Sequence, residues 1–227
     1  MPARLVITAA ESELAALFGL PLSAASARSL SKARYNVAPL HDVPVVRMAN
    51  GTRELADLRW GLVPHWNTDA AHEGFVNARS ETVAQKPSFR SAFRARRCLV
   101  PANGFYGWKP GLRRKQPYYF RPSGNGVFVC AGIWDRWDSP GGPVETVAVL
   151  TMPSNALVKP MDERMPVVVG EEHFAAWLDP NEANPEKLLA LFTPYPADQM
   201  TCWPISTRVN DPVEDDADLL TPLAGPL

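Results

Sequence analysis

Short apolar runs broken by glycine, proline and polar clusters dominate this chain, and they predict strands more often than helices. Arg4-Leu5-Val6-Ile7-Thr8 reads as a first strand, with others at 44–48, 55–60 and 75–78 and a polar loop over 65–74 among them. A strand-dense middle starts at Cys98-Leu99-Val100-Pro101. It continues through Phe105 to Lys109, Tyr118 to Arg121, Val127 to Trp134 and Val144 to Met152, with Gly111, Gly124, Gly126, Gly141 and Gly142 between the runs. Val167-Val168-Val169 and a run near Thr201 to Ile205 are the last short strands expected. Helical spacing is rarer. Leu14, Leu17 and Phe18 fit a helix from Glu11 to Phe18 with Glu11 and Glu13 in its first turn. Phe89 and Phe93, at i and i+4, point inward from a helix over Pro87 to Ala95. Ser80 to Ala84, Glu171 to Leu178 and Pro185 to Phe192 are the other expected helices. No repeat or long linker interrupts the pattern. The expectation is one strand-dominated α+β domain over residues 1–227, with flanking short helices.

Composition narrows this reading by exclusion. With 46% hydrophobic and 21% charged residues the chain has the make-up of a globular protein. No run of about 18 apolar residues is present, and the N-terminal residues lack the apolar core of a secretion signal, so neither a membrane span nor export is expected. Cys98, Cys130 and Cys202 are widely spaced and never form CxxC, as in a reduced cytoplasmic protein without disulfides, metal or cofactor. The 23 prolines are scattered, which suits many short strands better than a helical bundle.

Charge adds a partner class. The net charge of −1 hides a polarised chain. Residues 79–121 hold eleven basic side chains against Glu81 alone, whereas residues 122–227 hold five basic and sixteen acidic. Arginine supplies 17 of the 23 basic residues, and its planar fork suits phosphate. A solvated, salt-bridged surface has the same signature, so charge alone does not name a nucleic-acid binder.

The order of the motifs does. Met1-x-x-Arg4 is followed by Arg34-Tyr35-Asn36-Val37-Ala38-Pro39 and Arg59-Trp60-Gly61-Leu62-Val63-Pro64-x-Trp66. Next come Asn77-Ala78-Arg79-Ser80-Glu81-Thr82 and Arg97-Cys98-Leu99-Val100-Pro101-Ala102-x-Gly104-Phe105-Tyr106. Lys115-Gln116-Pro117-Tyr118, Ala131-Gly132-Ile133-Trp134, Arg164-Met165-Pro166-Val167 and Ile205-Ser206-Thr207-Arg208-Val209-Asn210 close the series. Almost end to end, the chain resembles the SRAP family, the abasic-site-processing proteins of the SOS and DNA damage response. The resemblance implies coiled antiparallel sheets with a basic channel for single-stranded DNA at an abasic site. It also implies a cysteine, exposed by loss of Met1, that closes a ring on the abasic aldehyde with help from an asparagine, a glutamate and a histidine.

This chain departs from that pattern at three of the four groups. The nucleophile position is Pro2, the glutamate position is Gly107 and the histidine position is Asp162; only the asparagine remains, as Asn77. The thiol-closed crosslink is therefore not expected. Two readings follow. In one, single-stranded or abasic DNA is bound reversibly, with Arg4, Arg79, Arg164 and the central basic stretch on phosphates, Asn77 lining the pocket and Trp66 stacking on a base. In the other, removal of Met1 exposes the secondary amine of Pro2 for an iminium with the aldehyde, and Asp162 moves protons. A third reading from another class is a protein-interaction module whose acidic stretch, Glu214-Asp215-Asp216-x-Asp218, is the contact face. Bland roles compete at each site residue: Arg79 in a surface pair with Glu81, Arg164 in a local pair with Asp162 or Glu163, and Arg113-Arg114-Lys115 as a solvated hairpin tip. Trp60, Trp108, Trp134 and Trp137 are expected to pack, and Cys98 and Cys130 to be buried, inert thiols.

Overall fold

The computed structural model describes residues 3–21, 27–69, 71–111, 114–124 and 126–223. Among the described residues twelve strands form two sheets. β3 (Asp42–Ala49), β4 (Thr52–Trp60), β6 (Arg97–Ala102), β9 (Phe128–Ser139) and β10 (Gly142–Pro153) close on themselves in the order β10-β4-β3-β6-β9 with β9 back against β10, making a five-stranded barrel. Closure removes the exposed edges that a sheet of this length would otherwise present. The second sheet runs β12 (Met200–Pro204), β8 (Gln116–Pro122), β7 (Gly104–Lys109), β1 (Leu5–Ile7) and β2 (Arg34–Val37).

Alternation explains how the second sheet is used on both faces. Leu5, Ile7, Phe105 and Phe120 join the main apolar cluster. The residues between them, Val6, Tyr106 and Tyr119, enter a smaller cluster with Ile205, Val209 and Leu219, which the C-terminal segment supplies. That segment is tied down by polar groups from β2. Asn36, 1% exposed, donates from Nδ2 to the carbonyls of Val209, Asp211 and Glu214 at 3.1, 2.9 and 2.8 Å. Asp215 accepts the backbone N–H groups of Tyr35 and Asn36 at 2.5 and 2.9 Å. The motifs around Asn36 and Val209 are thus two halves of one clasp.

α1 (Glu11–Phe18) and α2 (Pro87–Ala95) fall where the spacing places them, and Phe89 and Phe93 are buried. Other elements differ from expectation. Residues 81–85 are successive turns and not a helix, since Thr82 is bonded back only to Arg79. The expected strand at Val167–Val169 lies earlier, as β11 (Arg164–Pro166), with Val168 in an isolated bridge to Cys130. The helix expected over 171–178 opens as a 3-10 turn before α3 (Phe174–Leu178), and α4 (Pro185–Leu189) stops short of Phe192. β2 forms within the Arg34–Pro39 motif, where the apolar pattern alone does not predict a strand. The strand expected at 75–78 is β5 (Asn77–Arg79).

Buried arginine replaces one expected surface cation. Arg97, 4% exposed, spends its guanidinium on the carbonyls of Trp177 and Phe93 at 2.7 Å, Arg94 at 2.6 Å, Glu182 at 2.9 Å and also Asp179. It closes the ends of α2 and α3 onto the barrel and is no phosphate ligand. Among the described residues no helix is long and apolar enough to cross a membrane.

Candidate functional site

β10 is longer than the barrel needs, and its protruding end organises the site. Over Val149–Thr151 it pairs on one side with β5, in parallel, and over Thr151–Pro153 on the other side with β11. Register sets the side chains. Asn77 lies opposite Val149, Arg79 opposite Thr151 and Arg164 opposite Pro153, so all three occupy one face of this small three-stranded end. Two segments far apart in sequence, 77–79 and 164–166, are brought together by one strand.

The cluster is bonded through Thr151. Arg164 donates from Nε to Thr151 Oγ1 at 3.1 Å and from a terminal nitrogen to the Thr151 carbonyl at 2.5 Å. Its two terminal nitrogens grip the carboxylate of Glu81 in a bidentate pair, both at 2.8 Å. Those bonds, above all, hold the Glu81 carboxyl down to about 2. Glu81 pairs with Arg164 rather than with Arg79, and Asp162 Oδ1 accepts the Arg164 backbone N–H at 3.1 Å. Arg79 is exposed and makes no ion pair among the described residues. Asn77 is half-buried.

Asp162 and Gly107 are neighbours of this cluster. Asn155 fixes the turn that carries Asp162 by accepting the N–H groups of Leu157 and Val158 at 3.1 and 3.0 Å while donating to the Tyr195 carbonyl at 2.7 Å. A Cβ placed on Gly107 would stand 3.6 Å from Met161 Cβ, beside Asp162, and 3.0 Å from the ring of Phe120. The position where the resemblance expects a glutamate is therefore adjacent to the position where it expects a histidine, yet the Phe120 ring now closes in on the glycine. On the far side of Gly107 the chain start joins the site, Tyr106 donating its N–H to the Arg4 carbonyl at 3.2 Å. Pro2 lies outside the described residues, as does Arg113.

Arg4 is turned away from a phosphate role. Its guanidinium donates to Asn36 Oδ1 and the Val209 carbonyl, both at 2.7 Å, and to the Asn210 carbonyl at 3.1 Å. It belongs to the clasp of the C-terminal segment. The acidic stretch is likewise occupied within the chain: Asp215 on β2, and Glu214 and Asp216 on Arg208. Of the acids in that stretch, only the exposed Asp218 is left without a side-chain partner among the described residues. Among the described residues the exposed part of the central basic stretch is Arg79, Lys86, Arg90, Arg94, Lys109, Arg114 and Lys115, with Lys86, Arg90 and Arg94 at i, i+4 and i+8 along the outer side of α2 and the residue before it.

Trp66 sits on the loop that leaves the barrel after β4 and returns to β5, and it is 54% exposed. The root of this loop requires two glycines. Gly61 and Gly74 cross with φ of 141° and 90°, and a Cβ at Gly74 would stand 2.2 Å from the Gly61 carbonyl oxygen. Trp60 is buried, as expected of a packing residue, and so is Trp137. Trp134 lies under the Arg47 guanidinium at 4.3 Å, and Trp108 is half-buried with its indole N–H on Asn210 Oδ1 at 2.8 Å. Cys98 and Cys130 are buried, which pushes both thiols up, Cys130 to about 12. Among the described residues no cluster of His, Cys, Asp and Glu could hold a metal.

A barrel with a clamped second sheet, carrying Asn, Arg and carboxylate groups on one protruding strand end, defines a class of strand-built proteins with a polar cluster where β5 and β11 flank β10. The same architecture is found in the crystal structure of a protein from Bacteroides thetaiotaomicron, which matches with a TM-score of 0.83 at 24% identity over 97% of this chain and 99% of that one. The chain belongs to the SRAP (SOS response associated peptidase) family, whose family model matches residues 1–212. It is 35% identical to the abasic site processing protein YoqW of Bacillus subtilis over 82% of this chain and 84% of that protein. It is 30% identical to the mouse abasic site processing protein HMCES, over 83% of this chain and 64% of that one.

Proposed function

We propose that this protein binds single-stranded DNA at abasic sites reversibly, in the response to DNA damage, without forming the thiol-closed crosslink. The observation that carries the reading is the placement of Asn77 and the exposed Arg79 on one face of β5, beside an Arg164 that Glu81 and Thr151 hold in place. Asn77 lines the pocket for the sugar remnant, and Arg79 takes the adjacent phosphate. Arg164, paired with Glu81 and bonded to Thr151, keeps the strand end in shape. Trp66 provides a stacking face for a flanking base. Relatives named as abasic site processing proteins support the substrate class. The loss of the crosslink rests on chemistry: Pro2 has no thiol, Gly107 has no carboxylate and Asp162 replaces an imidazole.

Fluorescence anisotropy with abasic and intact oligonucleotides tests the binding. Affinity should favour the abasic strand and fall steeply with salt, with a slope of about −0.7 per phosphate neutralised. Arg79→Ala should remove about one phosphate from that slope. A flat salt response overturns the reading, and a heat-stable adduct on a denaturing gel overturns the absence of crosslinking.

A further inference from the structure

The turn that carries Trp66 is held more firmly than a solvent loop requires, and the group that holds it is a buried carboxylate. Asp135 of β9 has a side chain only 5% exposed. Its Oδ2 accepts the backbone N–H of His65 at 3.0 Å and meets His65 Nδ1 at 2.9 Å. Its Oδ1 accepts the Arg136 N–H at 2.9 Å and pairs with Arg96 Nε at 3.1 Å. Trp137 secures the next residues, its indole N–H on the Asn67 carbonyl at 2.8 Å. The imidazole of His65 is half exposed, and among the described residues its Nε2 has no protein partner. A carboxylate on Nδ1 fixes the ring so that Nε2 faces outward. The adjacent Trp66 is the most exposed of the large aromatic side chains.

We infer that His65, oriented by Asp135, is a proton-dependent contact for the phosphodiester of the nucleotide that stacks on Trp66. The inference rests on the DNA-binding reading above. In the neutral ring Nδ1 donates to Asp135 and Nε2 offers only a lone pair, which repels a phosphate oxygen. When a proton is taken up, Nε2 becomes a charged donor and the phosphate accepts from it. Arg96 already balances Asp135, so that carboxylate is not left uncompensated when the imidazole is neutral. The charged groups on the elements that hold the turn are Asp135, Arg136 and Asp138 on β9, Arg96 after α2, and Asp69 and Glu73 in the loop. Of these only Asp135 pairs with the ring among the described residues.

The other histidines are separable. His72 is in the same loop, but its Nδ1 accepts the Gly74 N–H at 2.8 Å and its ring packs edge-on to Phe75. His41 is held below the usual imidazole range by burial and by Arg34 and Arg4. His173 lies beside Glu172 at the start of α3.

The test is anisotropy with an abasic oligonucleotide and the full chain, in chloride buffers free of inorganic phosphate, at about pH 6 and about pH 8. Affinity should be several-fold higher at the lower pH, because the proton taken up gives the phosphate one more charged donor. The salt slope should steepen there by about 0.7. His65→Gln should erase both differences, whereas His72→Gln and His41→Gln should keep them. A pH step that survives His65→Gln, one that either control abolishes, or a wild-type protein that binds with no pH step refutes the inference alone. A protein that binds at neither pH brings down the DNA-binding reading with it.

Discussion

Removing the Arg164 side chain while keeping its length, as in Arg164→Met, is the sharpest probe of the site's construction. The substitution deletes the bonds to Thr151 Oγ1 and the Thr151 carbonyl, at a residue that is fully buried. Each bond from a charged donor is worth about 1 kcal/mol or somewhat more once its lost partner is counted. The pair with Glu81 adds less, because the Glu81 side chain is 45% exposed and screened by solvent, so about 0.5–1 kcal/mol is its share. The expected loss is about 2–3 kcal/mol in urea denaturation. For a chain of this size that is a fall in Tm of roughly 5–10 °C. Glu81→Gln alone should cost less than about 1 kcal/mol, and the double-mutant cycle should return a coupling of about 0.5–1 kcal/mol at neutral pH. The pH dependence has a definite sign. Glu81 is held at about 2 against an ordinary 4.5, so the unfolded chain takes up the proton first as the pH falls. The coupling is therefore complete above 4.5, declines below it and is gone once the pH passes beneath about 2. A Glu81→Gln variant more damaging than Arg164→Met, or a coupling of zero at neutral pH, would refute this account of the site.

Three other outcomes follow from the geometry. Gly107→Glu should destabilise by about 1–3 kcal/mol in denaturant titration, because its Cβ meets the buried Phe120 ring at 3.0 Å, and it should not restore crosslinking on a denaturing gel. Asn36→Ala removes the donor to three carbonyls and the acceptor for Arg4, so hydrogen exchange over 207–216 should accelerate ahead of the rest of the chain, with a stability loss of about 2–3 kcal/mol. Titration of native protein with a thiol reagent at mildly alkaline pH should find Cys202 first, since Cys98 and Cys130 are fully buried and their thiols are pushed up, and all three only after unfolding.

Local chemistry made much of the fold readable in advance. The helix from Pro87 to Ala95 announced itself by a proline at its first turn and two phenylalanines one turn apart, and it was found with those bounds. The helix expected over Ser80 to Ala84 did not form; the segment runs in turns, and nothing local announces that the remote Arg164 grips Glu81 within it. Arg97 was counted among surface cations because its neighbours Arg94 and Arg96 are charged too; nothing local reveals that five carbonyls from three segments converge on it. Glu81 was visible inside its motif but was matched with Arg79, two residues away, because its actual partner Arg164 is 83 positions distant.

By itself the sequence determined the strand-rich class, the family and the loss of the thiol, because alternation, motif order and the identity of a side chain are properties of single segments. Tertiary structure alone decided which polar groups are available. Arg4 and Arg97 are consumed by backbone carbonyls, Arg164 by Glu81 and Thr151, and Arg79 and Trp66 remain exposed. The physical reason is that a guanidinium binds whichever acceptors the folded backbone converges on it, and a strand register that joins residues 77, 151 and 164 through β10 is a property of long-range pairing.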